Sequence, residues 1–307
     1  MPQQPSIDSL VDLKKATIDE WKHKIFTERK LSVSVLRLDK IHPVLSGNKW
    51  FKLKYYLSHT INENKAGIIS AGGAWSNHLN ALAFACKELG IPVVGAIRGE
   101  KPSEYSPTLK ELEAWGMQLE FIARDQFRDE QLLSTQMLKK YPGYLWIPMG
   151  GEGLAGIEGV KELTKIIVLA NHDYLACAVG TGTFLTGLLE NSNSNQQVLG
   201  ISSLKVSPDS FMIEKAVKSF SSRTNFKIFY DYHFGGFGKA DSNLIAYMNG
   251  LFKETDIPTD FVYTARLFFA IQDLAAKDFF PPKSRVLVIH SGGLQGNRSL
   301  PVKTLSF

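Results

Sequence analysis

Tyr174-Leu175-Ala176-Cys177-Ala178-Val179 runs without a break into Gly180-Thr181-Gly182-Thr183, and the reading of this stretch decides the fold. A short apolar run closed by a glycine turn reads as a buried strand, and a helix is expected directly after the turn. Strand, glycine turn and helix together make an anion site: glycine lets the backbone come close, and the free amides of the helix start point at the ligand. Thr181 and Thr183 add hydroxyl donors. The turn is not a Walker loop, because no Gly-Lys-Ser/Thr follows, and not G-x-G-x-x-G, because the next glycine is Gly187. A phosphate is therefore indicated without a nucleotide, while a ligand-free tight turn uses the same residues.

The same grammar repeats on both sides. Upstream, strands are expected at 67–71, 92–97, 119–123 and 144–147, separated by helices at 79–89, 108–115 and 130–140. Before them, alternation over 31–38 predicts a half-buried strand and 51–59 a packed helix, and residues 6–22 show roughly helical spacing. Downstream, a helix over 156–170 precedes the quoted strand. Strands at 198–202 and 285–290 follow, with helices near 210–220, 242–252 and 265–276. Alternating strands and helices predict an α/β fold, an open parallel sheet with helices packed on it. The glycine band Gly150-Gly151-Glu152-Gly153 is the expected crossing point between two lobes, with the ligand at the carboxyl ends of the strands between them.

The chain has 307 residues, 44% hydrophobic and 21% charged, enough for two lobes that each bury a core. The net charge of +5 is spread among acids without the basic runs of a nucleic-acid tail, so no nucleic-acid partner is expected. Cys86 and Cys177 both lie in apolar segments, which predicts buried free thiols, no disulfide and no metal site. No apolar run approaches the ~18 residues that span a bilayer. A soluble cytoplasmic protein with no membrane partner is expected.

Four stretches carry candidate chemistry. In Ser46-Gly47-Asn48-Lys49 the lysine follows a glycine turn just before a probable helix, where partial desolvation favours the neutral, nucleophilic amine. Lys49 can then hold a carbonyl cofactor as a Schiff base, though a solvated lysine would read alike. Asp39 and His42, in the loop before it, are candidates to support the site from behind or to serve the turn. Gly72-Gly73-Ala74-Trp75-Ser76-Asn77-His78 is a second anion cradle, suited to a substrate carboxylate. There Ser76 and His78 are candidate donor and acid/base, Asn77 can donate to an oxyanion, and Ser76 or Asn77 also suits a helix cap. Ser291-Gly292-Gly293 is a third glycine turn after a strand. One ligand offering a phosphate, a reactive carbonyl and a ring nitrogen would use all four stretches, and pyridoxal 5'-phosphate has those groups.

These residues resemble pyridoxal-phosphate enzymes of the tryptophan synthase β-like fold, and within them the D-cysteine desulfhydrase and 1-aminocyclopropane-1-carboxylate deaminase family. The resemblance covers nearly the whole chain. It implies that Lys49, not Lys52, anchors the cofactor. Ser76 would face the substrate carboxylate, Asn77 the phenolic oxygen, and Gly180, Thr181, Gly182 and Thr183 the phosphate. Ser291 would lie near the pyridine nitrogen, and Tyr263 of Val262-Tyr263-Thr264 over the substrate, with Ser76, Asn77, His78 and Tyr263 binding it. The catalytic set implied is Lys49, Ser76 and Tyr263.

Three departures bear on the reaction. Thr264 stands where the deaminases place glutamate, so Thr264 and Ser291 should leave the ring nitrogen neutral, which suits β-elimination better than cyclopropane opening. Phe237 replaces a second tyrosine, and Thr183-Phe184 replaces a further glycine of the phosphate loop. The expected activity is α,β-elimination from a small amino acid, giving a 2-oxo acid and ammonia. Cyclopropane deamination, racemisation and a non-catalytic amino-acid-binding protein on the same scaffold stand as alternatives. Residues 1–51 with 157–307 are expected to form the larger, cofactor-binding lobe and 52–156 the smaller one, in a homodimer.

Overall fold

The computed structural model describes residues 6–205 and 211–307. In chain order the elements are β1 (Thr17–Glu20), α1 (Lys24–Glu28), β2 (Ser32–Arg37), α2 (Asn48–Asn62), β3 (Gly67–Gly72), α3 (Asn77–Leu89), β4 (Val93–Arg98) and α4 (Pro107–Ala114). Next come β5 (Met117–Ile122), α5 (Glu130–Lys140), β6 (Tyr144–Ile147), α6 (Leu154–Lys161), β7 (Tyr174–Val179) and α7 (Thr183–Asn191). The chain finishes with β8 (Gln197–Ser202), α8 (Met212–Lys218), β9 (Phe226–Phe229), α9 (Ser242–Thr255), α10 (Thr264–Ala276) and β10 (Arg285–His290).

The strands form two sheets. One has six strands in the order β1-β2-β10-β7-β8-β9, parallel except for the β1–β2 pair. The other has four parallel strands in the order β5-β4-β3-β6. Parallel strands buried on both faces require near-continuous apolar runs, and β3 and β7 supply them: every residue of β3, and every residue of β7 after Tyr174, is buried. The chain leaves the larger sheet after β2, builds the smaller one, and returns through α6. One apolar core runs through both sheets, joining Ile68 and Ile147 to Leu175 and Leu287 through Phe51 and Leu53 of α2.

Helices α2 and α6 cross at Gly159, where a Cβ would lie 1.7 Å from the Phe51 carbonyl oxygen. Any side chain there forces the two backbones apart.

The α/β alternation expected from the sequence is present, with some differences. Residues 6–22 are not a helix: two short 3-10 turns, Ile7–Leu10 and Leu13–Lys15, lead into β1. Pairing of Thr17–Glu20 with the exposed edge of β2, and an ion pair from Asp19 to the buried Arg37 (3.0 Å), override the helical spacing. The helix expected over 156–170 stops at Lys161, and 3-10 turns continue from Glu162. The branched run Thr164, Ile166, Ile167, Val168 weakens helix there, and Glu162 is drawn to Lys54 (2.6 Å) and Tyr55 (2.9 Å) of α2. Helix α1 and strand β9 had no expected counterparts. The helix expected near Ser210–Phe220 is described as α8, and its first residue, Ser210, lies outside the described residues.

Gly159→Ala is expected to destabilise the protein by about 3 kcal/mol or more, since overpacking against backbone has no flexible partner to yield. A lowered denaturation midpoint in urea checks this.

Candidate active site

Gly47 has φ +61°, and a Cβ there would sit 1.8 Å from the Ser291 carbonyl oxygen. Only glycine allows both the turn and the contact. The same carbonyl accepts from Asn48 N (3.1 Å), so the first turn of α2 rests on the turn that follows β10. Lys49 is therefore already in helix α2, rather than just before it, and Lys49 and Lys52, three residues apart, share one face. Both line a cavity of about 990 Å³ that also takes in the carboxyl ends of β3, β7 and β10.

The cavity wall carries Lys49, Ser76, Asn77, His78, Gly180, Thr181, Gly182, Tyr263 and Ser291, so the structure gathers these sequence candidates at one place. Thr183 is the exception. Its side chain is buried behind the loop against α6, and its hydroxyl meets that of Thr181 at 3.1 Å. Phe237 does line the cavity, edge-on to Tyr263 at 5.9 Å, so the position expected for a second tyrosine carries no hydroxyl.

Burial lowers the Lys49 amine to about 8, against the pull of Asp260, and its Nζ donates to Asn48 Oδ1 (2.7 Å). Burial, and then the neighbouring Lys49, lower Lys52 to about 7, and its Nζ donates to the Gly150 carbonyl (3.1 Å). Sequence reading considered Lys52 only as a rival anchor. Its i, i+3 spacing from Lys49 was the signal that it belongs in the same cavity.

His78 is buried as well. Burial, then Lys49 and Lys52, push it down to about 3, so the ring is neutral. Ser70 Oγ donates to the Ile147 carbonyl (2.8 Å) and therefore accepts from His78 Nε2 (2.8 Å), which assigns the ring hydrogen to Nε2. His78 Nδ1 is left a buried acceptor with no partner. Ser76 caps α3, its Oγ accepting from Leu79 N (3.2 Å), which leaves the hydroxyl hydrogen available to a ligand.

Tyr263 is placed by Asp260. That buried carboxylate accepts from the backbone N–H of Val262, Tyr263 and Thr264, each at 2.9 Å, and from the Thr264 hydroxyl (2.7 Å). Thr264 is thus fully buried, its hydroxyl turned to Asp260, and it is absent from the cavity wall. Burial, then Asp260, raise the Tyr263 phenol above its ordinary value, so it stays a donor. Buried Arg266, three residues on, donates to the carbonyls of Ser203 (2.8 Å), Gly236 (2.9 Å) and Lys239 (2.6 Å), fixing the loop that carries Phe237. Of the loop candidates, Asp39 supports the site: it grips Arg37 (2.7 Å) and lies 3.2 Å from Nδ1 of His290, next to Ser291. His42 serves the turn, accepting from Val44 N and Leu45 N.

The donor set fits a phosphorylated aldehyde. Helix α7 starts at an N-cap glycine with no side-chain cap, so its first amides are open to an anion beside the Thr181 hydroxyl. A Cβ on Gly180 would lie 3.3 Å from Tyr263 Oη, closing the gap between loop and tyrosine. Asn77, whose Nδ2 donates to the Gly293 carbonyl (3.3 Å), keeps a buried Oδ1 without a partner. A lysine amine of lowered pKa stands between these groups.

Two α/β sheets with a lysine, two anion cradles and a cation-rich cleft between them define an enzyme of the tryptophan synthase β-like, pyridoxal-phosphate-using class. The chain belongs to the family of pyridoxal-phosphate dependent enzymes, whose model matches residues 24–292, and its cofactor is pyridoxal 5'-phosphate. A Pyrococcus abyssi protein provisionally named a 1-aminocyclopropane-1-carboxylate deaminase is 29% identical, over 95% of this chain and 96% of its own length. The D-cysteine desulfhydrase of Salmonella typhi is 21% identical, over 84% and 86%. Among solved structures, an ACC deaminase homologue superposes with a TM-score of 0.81 at 22% identity, over 98% of this chain and 99% of its own. A hydrogen sulfide-producing enzyme from Fusobacterium nucleatum superposes at 0.67 and 16% identity, over 95% and 98%. Among the described residues no helix is long and apolar enough to cross a membrane.

Lys49 and Lys52 are both below the ordinary lysine value of ~10.4. The unfolded chain therefore binds more protons than the folded one from about pH 7 upward, and stability without the cofactor rises with pH there. Thermal unfolding of the stripped protein at pH 7 and 9 checks the sign. Lys52→Met is expected to raise the pH 7 Tm by removing a buried charge, and to flatten the pH dependence.

Proposed function

We propose that this enzyme catalyses α,β-elimination on a small amino acid, releasing a 2-oxo acid and ammonia as a D-cysteine desulfhydrase does. The observation that carries the reading is the set around Lys49: an amine lowered to about 8, on the same cavity wall as Ser76, Asn77, Thr181, Tyr263 and Ser291. Lys49 would hold the cofactor, Thr181, the amides of 180–183 and Lys52 its phosphate, Asn77 its phenolic oxygen, and Ser291 its ring nitrogen. Bound pyridoxal 5'-phosphate supplies an electron sink for negative charge at the substrate's Cα.

Each residue's part follows from its state. Lys49, neutral in a large fraction near pH 8, takes the α-proton. Ser76 and the first amides of α3 bind the substrate carboxylate, with Asn77 and neutral His78 alongside. Tyr263, held protonated, donates toward the leaving group or the returning proton. Ser291, the residue proposed beside the ring nitrogen, is no carboxylate, and Thr264 is turned to Asp260 and off the cavity wall, which favours elimination over cyclopropane opening. The name carried by the Pyrococcus relative favours the second reading, 1-aminocyclopropane-1-carboxylate deaminase. We also place the chain in the cytoplasm as a homodimer, with 1–51 and 157–307 as the larger lobe, 52–156 as the smaller, and the site between them.

Borohydride reduction of the holoenzyme followed by peptide mapping is expected to put the cofactor on Lys49. Pyruvate is expected from D-cysteine or β-chloroalanine, and Lys49→Ala should lower its rate at least about a thousandfold. If 2-oxobutanoate forms from 1-aminocyclopropane-1-carboxylate while β-substituted amino acids are inert, the second reading replaces the first. Tyr263→Phe is expected to lower kcat by about 10²-fold with little change in KM, the range of a lost general acid.

A further inference from the structure

The charged groups on the cavity wall do not balance. Lys49, Lys52, Arg98 and Arg128 line it, and Glu152 is the one carboxylate among the described lining residues. The proposed reading uses the lysines for the cofactor and the start of α3 for the substrate carboxylate. It leaves Arg98 and Arg128 without an anion.

Elsewhere in the molecule arginines are engaged. Arg29, Arg37, Arg223, Arg285 and Arg298 each pair with a carboxylate, and Arg266 with three carbonyls. Among the described residues, the arginines without such a partner are Arg98, at the carboxyl end of β4, and Arg124 and Arg128, in the segment that follows β5; all three are exposed. The ends are adjacent: Arg98 pairs in register with Ile122, and Gly99 N donates to the Ile122 carbonyl (2.7 Å). Strand β4 also neighbours β3, with Ile97 opposite Gly72, so Arg98 emerges beside the cradle that would hold the substrate carboxylate. That is where a substrate's side chain would extend. The cavity, at about 990 Å³, is at the upper end for small-molecule sites, and apolar Trp75, Phe127 and Met149 also line it. A guanidinium there gains strength once a substrate displaces water, and two of them suit a phosphate or sulfate by forked hydrogen bonds.

We propose that Arg98 and Arg128 form a distal anion subsite, so that the preferred substrate is an amino acid whose β-substituent carries a negative charge. This rests on the elimination reading and names its substrate class; a phosphate or sulfate ester of serine is the simplest member. The α-proton goes to Lys49, and the Cβ–O bond breaks with its electron pair leaving on the ester group. Water then hydrolyses the unsaturated amine, giving pyruvate, ammonium and free phosphate or sulfate with no net oxidation.

The test uses the holoenzyme with both enantiomers of O-phosphoserine, serine O-sulfate and neutral β-chloroalanine, following pyruvate. For the enantiomer used, kcat/KM for an ester is expected to exceed that for β-chloroalanine. Arg98→Met and Arg128→Met should each lower that ratio at least tenfold, chiefly through KM, with partial recovery in the Arg→Lys variants. The more effective ester distinguishes a dianionic from a monoanionic group. An unchanged ratio in both Met variants overturns the subsite. Binding, read by tryptophan fluorescence, decides the matter apart from turnover. O-phosphoserine binding no tighter than serine, or no tighter than inorganic phosphate, overturns the subsite. Tight, arginine-dependent binding of O-phosphoserine with no pyruvate from any substrate supports the subsite and refutes elimination instead.

Discussion

The site depends on one close approach, the Ser291 carbonyl lying where a side chain on residue 47 would be. Because Gly47 has none, the turn before α2 and the turn after β10 interlock, with Asn48 N bonded to that carbonyl and a Cβ on Gly292 excluded by Ser46 Oγ at 2.5 Å. Everything on α2 is positioned from this contact. Lys49 and Lys52 face the cavity because the helix starts where it does, and α6 follows α2 closely because Gly159 lets their backbones touch. The Asp39–His290 pair behind Ser291 holds the other half of the interlock.

Burial of positive charge is the second constraint. Two lysine amines and a histidine share a cavity wall, and water exclusion drives all three toward their neutral forms. Neutral Lys49 is what the proposed role of nucleophile and base requires. The neutrality of His78 is reinforced by its hydrogen bond to Ser70, which fixes the tautomer and leaves Nδ1 as an acceptor. On the opposite wall Asp260 spends its acceptor capacity on three amides and a hydroxyl, so that Tyr263 is held rigidly at the mouth of α10 while the carboxylate is kept out of the cavity. One end of the cleft is thus poor in anions and rich in cations, a condition that a cofactor phosphate and an acidic substrate would relieve.

How much of this was legible in the chain varied by kind of signal. The alternation of apolar strands and helices was readable because a parallel sheet buried on both faces tolerates little else, and β3, β7 and β10 fall within a residue of their expected spans. The glycine turns were readable for the same reason: a helix start that faces a ligand needs backbone without side chains. Residues 6–22 and 156–170 misled because their helical spacing was outweighed by an edge-strand pairing and by ion pairs to residues far away in sequence, neither of which a local pattern contains. Thr264 differs in kind, since nothing in its motif signals that its hydroxyl turns inward to Asp260.

The sequence by itself determined the α/β class, the glycine turns, the anchor candidate Lys49 and the thiols Cys86 and Cys177, because local hydrogen-bonding and burial demands write those features into neighbouring residues. Only the tertiary structure decided that Lys52, Arg98 and Arg128 share the cavity, that Thr183 and Thr264 do not reach it, and that His78 is neutral. Those outcomes depend on which distant groups meet and how much water remains between them, and no stretch of chain carries that information alone.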